Sequence, residues 1–141
     1  MSTPVLETKL FAPTRRAKLV ARPRLIRQLD LTLEAGHRLT LVAAPAGFGK
    51  TTVLTDWIAD LAARRPPPRV AWLSLDGDDD DLTRLLTHLV AALGRVGIDI
   101  APSVLEAMPG SSTPAVLTVL VNELSRAGAR AAGQQWVLVL D

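Results

Sequence analysis

Cysteine is absent from this chain. That excludes disulfide staples and thiolate zinc sites, and it points to a reducing compartment. The two histidines, His37 and His88, stand far apart in sequence and are most simply surface or helix-face residues. Aromatic residues make up only 4% of the chain, and no run in its basic first half alternates aromatic with basic side chains. No window approaches the ~18 uncharged apolar residues needed to cross a bilayer, and the N-terminus has no continuous apolar stretch of the signal-peptide kind. The expectation is a soluble, cytoplasmic protein with no membrane contact.

What is present is enough for one folded domain: 141 residues, 48% of them hydrophobic. The net charge of +2 is unevenly divided, with 12 Lys/Arg against 5 Asp/Glu over residues 1–69 and 4 against 9 over residues 70–141. Such a bias fits phosphate attraction, a solvated face or nucleic-acid binding, and the lack of interleaved aromatics makes the last of these the weakest.

Residues 1–21 mix Pro, Thr and basic side chains without periodicity and read as an extended N-terminal arm. Residues 22–141 read as one partial domain. Pro23 opens a helix that has Leu25, Ile26, Leu29 and Leu33 on one face and Gly36 as its stop. Residues 38–43, RLTLVA, form a short β-rich run that reads as a buried strand. A helix follows in which Val53, Leu54, Trp57, Ile58 and Leu61 recur at helical spacing, until Pro66, Pro67 and Pro68 end it. RVAWLSLD is a second strand. The acidic GDDDD behind it caps the helix of Leu82, Leu85, Leu86, Leu89 and Leu93. After a Pro/Gly/Ser stretch, Thr113 and Pro114 open another helix, and WVLVLD closes the chain as a strand. Strands alternating with helices predict an α/β domain around a mainly parallel sheet.

The strand-to-helix turn at residues 44–52, APAGFGKTT, carries the chemistry. A bound triphosphate needs inward-facing N–H donors, a cation reaching its outer phosphates and a hydroxyl for magnesium. Gly47 and Gly49 allow backbone conformations and close approaches that a Cβ forbids. Lys50 opens the helix and reaches toward the β- and γ-phosphates, and Thr51 is placed to ligate Mg²⁺. Ala44, Pro45, Ala46, Phe48 and Thr52 complete the nucleotide-binding loop. Against the pattern GxxxxGK[ST], Gly49, Lys50 and Thr51 match and Ala44 stands at the first glycine position. A strand ending in an acid is the second expected part of such a site, and Asp141 supplies it, joining Thr51 as a metal ligand and Lys50 as a catalytic residue.

The run Asp76, Asp78, Asp79, Asp80 and Asp81 does not fit a calcium loop, because counting from Asp76 puts Asp81 where glycine is required and Thr87 where glutamate is required. It reads as a capped, solvated turn. Trp57, Trp72 and Trp136 lie in apolar segments and read as core.

TKLFAPTRRAKLVARPRLIRQLD, GHRLTLVAAPAGFGKTT, RVAWLSLDGDDDD and VLVLD, in this order and spacing, resemble the N-terminal P-loop ATPase region of the large ATP-binding LuxR-family transcriptional regulators. These are maltose-activator-like proteins of the STAND class of signal-transducing ATPases. The resemblance spans essentially the whole chain, although Asp80 stands where the family usually has Asn and Leu82 where it usually has Pro. It implies a P-loop NTPase three-layer sandwich, cut off here after the Walker B strand, with one further strand expected between residues 38–43 and the strand ending at Asp141. It also implies an ATP/ADP-binding switch with Mg²⁺ and a slow regulatory ATPase in a longer protein, whose other domains bind an inducer and promoter DNA and self-associate. No DNA-binding motif lies in these 141 residues, and the fragment alone is expected not to hydrolyse ATP. By the same resemblance, Val20 and Arg22 of the VAR segment contact the adenine side of the nucleotide. The alternative is a P-loop enzyme of kinase type acting on a small acceptor; the basic lid it needs would have to come from Arg95, Arg126 and Arg130.

Overall fold

The structure, a computed structural model, describes residues 4–15, 20–106, 108–130 and 133–141. These fall into two compact units, Pro13–Pro67 and the combination of Met1–Ala12 with Pro68–Asp141.

The Pro13–Pro67 unit is built on two helices, α1 (Pro23–Glu34) and α2 (Lys50–Ala62). Proline suits the first position of α1, where the backbone N–H would have no intrahelical acceptor. The helix runs out at Ala35, and Gly36 follows with φ +71°, the left-handed conformation in which glycine avoids a Cβ clash. Leu29 of α1 and Val53, Leu54, Trp57 and Leu61 of α2 are buried, Ile26, Leu33 and Ile58 are half-buried, and Leu25, read onto the same face of α1, is exposed. One carboxylate ties the helices together: Asp30 Oδ1 accepts from Trp57 Nε1 at 2.7 Å and from the Arg64 guanidinium. This gives the indole N–H a partner as its ring is buried.

Residues 38–43 do not form the buried strand read from the sequence. They have no regular secondary structure, and Leu39 and Leu41 are 86% and 84% exposed. A β-rich run becomes a strand only where another strand takes up its N–H and C=O groups. Among the described residues the sheet contains two strands, which pair only with each other.

Those strands belong to the other unit. β1 (Arg69–Leu73) and β2 (Trp136–Leu140) run parallel, in register from Arg69 opposite Trp136 to Leu73 opposite Leu140. Pairing continues past the strand ends, where Asp141 N–H donates to Leu73 O at 3.0 Å and Leu75 N–H donates to Asp141 O at 2.6 Å. A parallel pair requires a long crossover, here made of α3 (Leu82–Arg95), the single turn α4 (Ser103–Glu106) and α5 (Thr113–Arg130). The core gathers Ala71 of β1, Leu86 and Leu93 of α3, Ile98, Ile100, Val104 of α4, and Val116 and Leu120 of α5. Trp72 is buried and Trp136 half-buried, as core residues. No described helix is long and apolar enough to cross a membrane.

Two sequence readings are corrected in this unit. Asp81 caps α3, its Oδ1 accepting from Thr83 N–H at 2.8 Å, and Asp76 and Asp79 cap the 3₁₀ turn Gly77–Asp80. Asp79, however, is not solvated: its side chain is 4% exposed and accepts from Lys9 Nζ at 2.6 Å. His88 is not at the surface either, being fully buried, with Nε2 accepting from Leu6 N–H at 3.1 Å and Nδ1 facing Arg84 O at 3.0 Å. Only the Nδ1-protonated tautomer satisfies both contacts.

The reason for both burials is the start of the chain. A 3₁₀ turn, Glu7–Leu10, lays Leu10 against Leu73 and Ala92 and brings the Lys9 ammonium between Asp79 and Asp76, 2.8 Å from the latter. Beyond it, the Arg95 guanidinium lies 3.8 Å from the centre of the Phe11 ring.

Candidate nucleotide site

The site belongs to the Pro13–Pro67 unit and forms where an irregular segment turns into α2. Phe48 N–H bonds back to Pro45 O at 3.3 Å, making a tight turn of the residues before the helix. Gly47 and Gly49 take φ +83° and +79°, in the left-handed region that L side chains rarely adopt. Gly49 is the N-cap of α2, and it has a second reason to be glycine. A Cβ built there would lie 3.3 Å from the Arg22 guanidinium.

Arg22 sits at the N-cap of α1 and donates from Nη1 to Phe48 O at 2.8 Å, bracing the loop through its backbone. Its neighbour Val20 is 79% exposed. The Lys50 ammonium donates to Ala44 O at 2.6 Å and Pro45 O at 3.3 Å. The cation therefore lies over the loop, on neutral carbonyls that a polyanion can displace. Phe48 is 62% exposed, and Ala44, Pro45 and Ala46 are exposed as well.

A cavity of about 420 Å³ opens beside the loop, and Gly47, Gly49, Lys50, Thr51, Thr52 and Thr55 face into it. Among the described residues, Pro13, Thr14 and Arg15 of the chain before α1 also line it. The sequence reading did not anticipate them. The only signal was the basic pair at the end of the TRR run, inside a stretch without periodicity. Among the described residues the lining holds two cationic side chains, Arg15 and Lys50, four threonines and no carboxylate. With the N-terminal dipole of a 13-residue helix added, this is chemistry for an anion with several acceptor oxygens.

The structure thus brings together the residues at 44–52 and Arg22. Asp141 lies in the other unit, directly after β2.

The AAA domain family profile matches residues 7–137 of the chain. Among relatives, the HTH-type transcriptional regulator MalT of Yersinia pestis (strain Pestoides F) is 38% identical over 89 residues, covering 63% of this chain and 9% of the regulator. MalT of Yersinia enterocolitica serotype O:8 is 39% identical over the same length, with the same shares covered. The chain therefore spans about a tenth of the length of these relatives. No solved structure matches it. The glycine-lined turn, the lysine at the helix start and the profile agree: the chain belongs to the AAA domain family, with the P-loop NTPase fold that this implies, and is similar to the ATPase region of MalT-like regulators.

Proposed function

We propose that this chain is the ATP/ADP-binding switch module of a STAND-class, MalT-like transcriptional regulator in the cytoplasm. The observation that carries the reading is the turn itself, with Gly47 and Gly49 left-handed, Lys50 at the first position of α2 and Thr51 facing the same cavity. Family membership supports nucleotide binding, and the similarity to MalT supports a regulator rather than a small-acceptor kinase. In the longer protein, inducer, promoter DNA and self-association are the expected partners. A three-layer sandwich with a mainly parallel sheet is the proposed full fold, in which residues 38–43 pair with a strand of that longer protein.

Thr51 and Asp141 are the proposed magnesium ligands. Among the described residues no three His, Cys, Asp or Glu side chains converge on one metal site. Magnesium needs only one or two protein oxygens where nucleotide phosphates and water fill its other positions. When bound, magnesium neutralises charge on the outer phosphates. Lys50 shares that task by leaving the Ala44 and Pro45 carbonyls for the phosphate oxygens, and Arg22 holds the loop in shape from Phe48 O. A switch of this kind works only through a difference in nucleotide affinity between its two states.

Calorimetric titration with Mg·ATP and Mg·ADP tests the reading. Lys50→Ala is expected to weaken both by about ten- to a hundredfold, since it deletes a charge-assisted contact worth about 1.5–3 kcal/mol. Equal affinity in wild type and variant would overturn it.

A further inference from the structure

We infer that Arg15 is a phosphate ligand of the nucleotide site and that Asp56 is the counter-ion that holds it until nucleotide arrives. This rests on the P-loop reading above and adds a residue to it from outside the loop and helix.

Among the described residues, Arg15 and Lys50 are the two cations in the cavity lining. Its Nε lies 2.7 Å from Asp56 Oδ1, while its side chain remains 61% exposed. The contact is poorly directed: Asp56 Oδ1 is buried yet has no hydrogen bond of good geometry. The two Nη groups of Arg15 make no hydrogen bond among the described residues. A guanidinium has five donors in a planar fork suited to phosphate oxygens, and this pair uses only one edge of it.

Position completes the case. Asp56 follows Thr52 by four residues on α2, so the two share a helix face about 6 Å apart along the axis. Thr52 and Thr55 line the cavity, and Asp56 anchors Arg15 beside that face. The pair is only half buried, with Asp56 11% and Arg15 61% exposed, so water reaches the guanidinium and releasing it costs less than breaking a fully buried pair. A multiply charged ligand in the same cavity offers the guanidinium a stronger partner, with bidentate geometry.

The experiment titrates the protein with Mg·ATP, Mg·ADP and inorganic pyrophosphate, the last having neither base nor ribose. Arg15→Ala is expected to weaken all three by about tenfold or more, and Arg15→Lys by less, because charge survives without the fork. Asp56→Asn is expected to tighten all three by about two- to fivefold, because it removes the competing carboxylate. The double variant should then bind like Arg15→Ala alone. Unchanged melting of the ligand-free Arg15 variants confirms that they fold.

Wild-type affinity in Arg15→Ala, with binding lost in Lys50→Ala, overturns this inference and leaves the P-loop reading standing. Weaker binding in Asp56→Asn makes the pair a structural brace and also overturns it. A loss confined to ATP and ADP, with pyrophosphate unaffected, places Arg15 at the base or ribose and overturns the phosphate assignment. Unchanged binding in Lys50→Ala removes the P-loop reading, and this inference with it.

Discussion

Gly49 shows how one position answers to two constraints of different weight. Its φ of +79° is a backbone requirement, whereas the Arg22 guanidinium near the missing Cβ is the far end of a flexible side chain. Gly49→Ala is therefore expected to destabilise the Pro13–Pro67 unit by about 1–2 kcal/mol, the cost of holding an L residue in the left-handed region. Arg22→Ala in the same chain should recover little of that loss. Chemical denaturation of the two single variants and the double variant measures this. Full recovery in the double variant would show that contact with Arg22, and not φ, is what demands glycine. Gly47 has open space around its missing Cβ, so Gly47→Ala isolates the backbone term.

At the scale of an element, the 3₁₀ turn Glu7–Leu10 is held by charge in a buried place. Burial alone would lower the Lys9 pKa, but hydrogen bonds and charge from Asp76 and Asp79 outweigh it and raise the group above its ordinary 10.5. For Asp79, burial pushes upward and is outweighed by the Lys9 hydrogen bond, the Asp76 N–H and the charge of Lys9, leaving the carboxyl below 3.8. Asp76 is lowered chiefly by its hydrogen bond to Lys9. A depressed carboxyl contributes stability that is present above its unfolded pKa and lost as pH falls through the folded one; a raised lysine contributes below 10.5 and loses its contribution as pH rises past its folded value. Melting temperature should therefore drop as pH falls below about 4, where the carboxylates take up protons. Lys9→Met should lower stability at neutral pH by about 2–3 kcal/mol and flatten that acid-side drop, because the carboxylates lose the partner that depresses them. Circular dichroism melts between pH 3 and pH 7 decide it, and an acid-side slope as steep in Lys9→Met as in wild type would assign the pH dependence to other groups.

At the scale of the whole molecule, the conspicuous feature is apolar chain in water. Leu39 and Leu41 are each more than four-fifths exposed, on a segment with strand composition and no strand partner among the described residues. An unpaired, β-prone run of this kind is a template for other chains. Replacing both residues, as Leu39→Lys with Leu41→Lys, should reduce self-association in sedimentation and lower the binding of a hydrophobic dye. It should change folding stability by no more than about 0.5 kcal/mol, as expected of surface positions. A stability loss several times larger would show that the two leucines are buried in solution.

Local chemistry was legible in the sequence because it depends on neighbours along the chain. Pro23 and Gly36 bound α1, the spacing of Val53, Leu54, Trp57 and Leu61 sets the buried face of α2, Asp81 caps α3, and the glycines and Lys50 mark the turn. None of these needs a distant partner to be recognised. Tertiary structure alone decided whatever depends on a remote group. The same β-rich composition yields a paired strand at Trp136–Leu140 and an exposed segment at residues 38–43, because a strand's hydrogen bonds are made by another strand. Asp79 and His88, polar by composition, are buried because Lys9 and Leu6, 70 and 82 residues away along the chain, supply their partners. Arg15 reached the cavity wall in the same way, brought by folding from a stretch with no pattern of its own to the face of a helix that begins at Lys50.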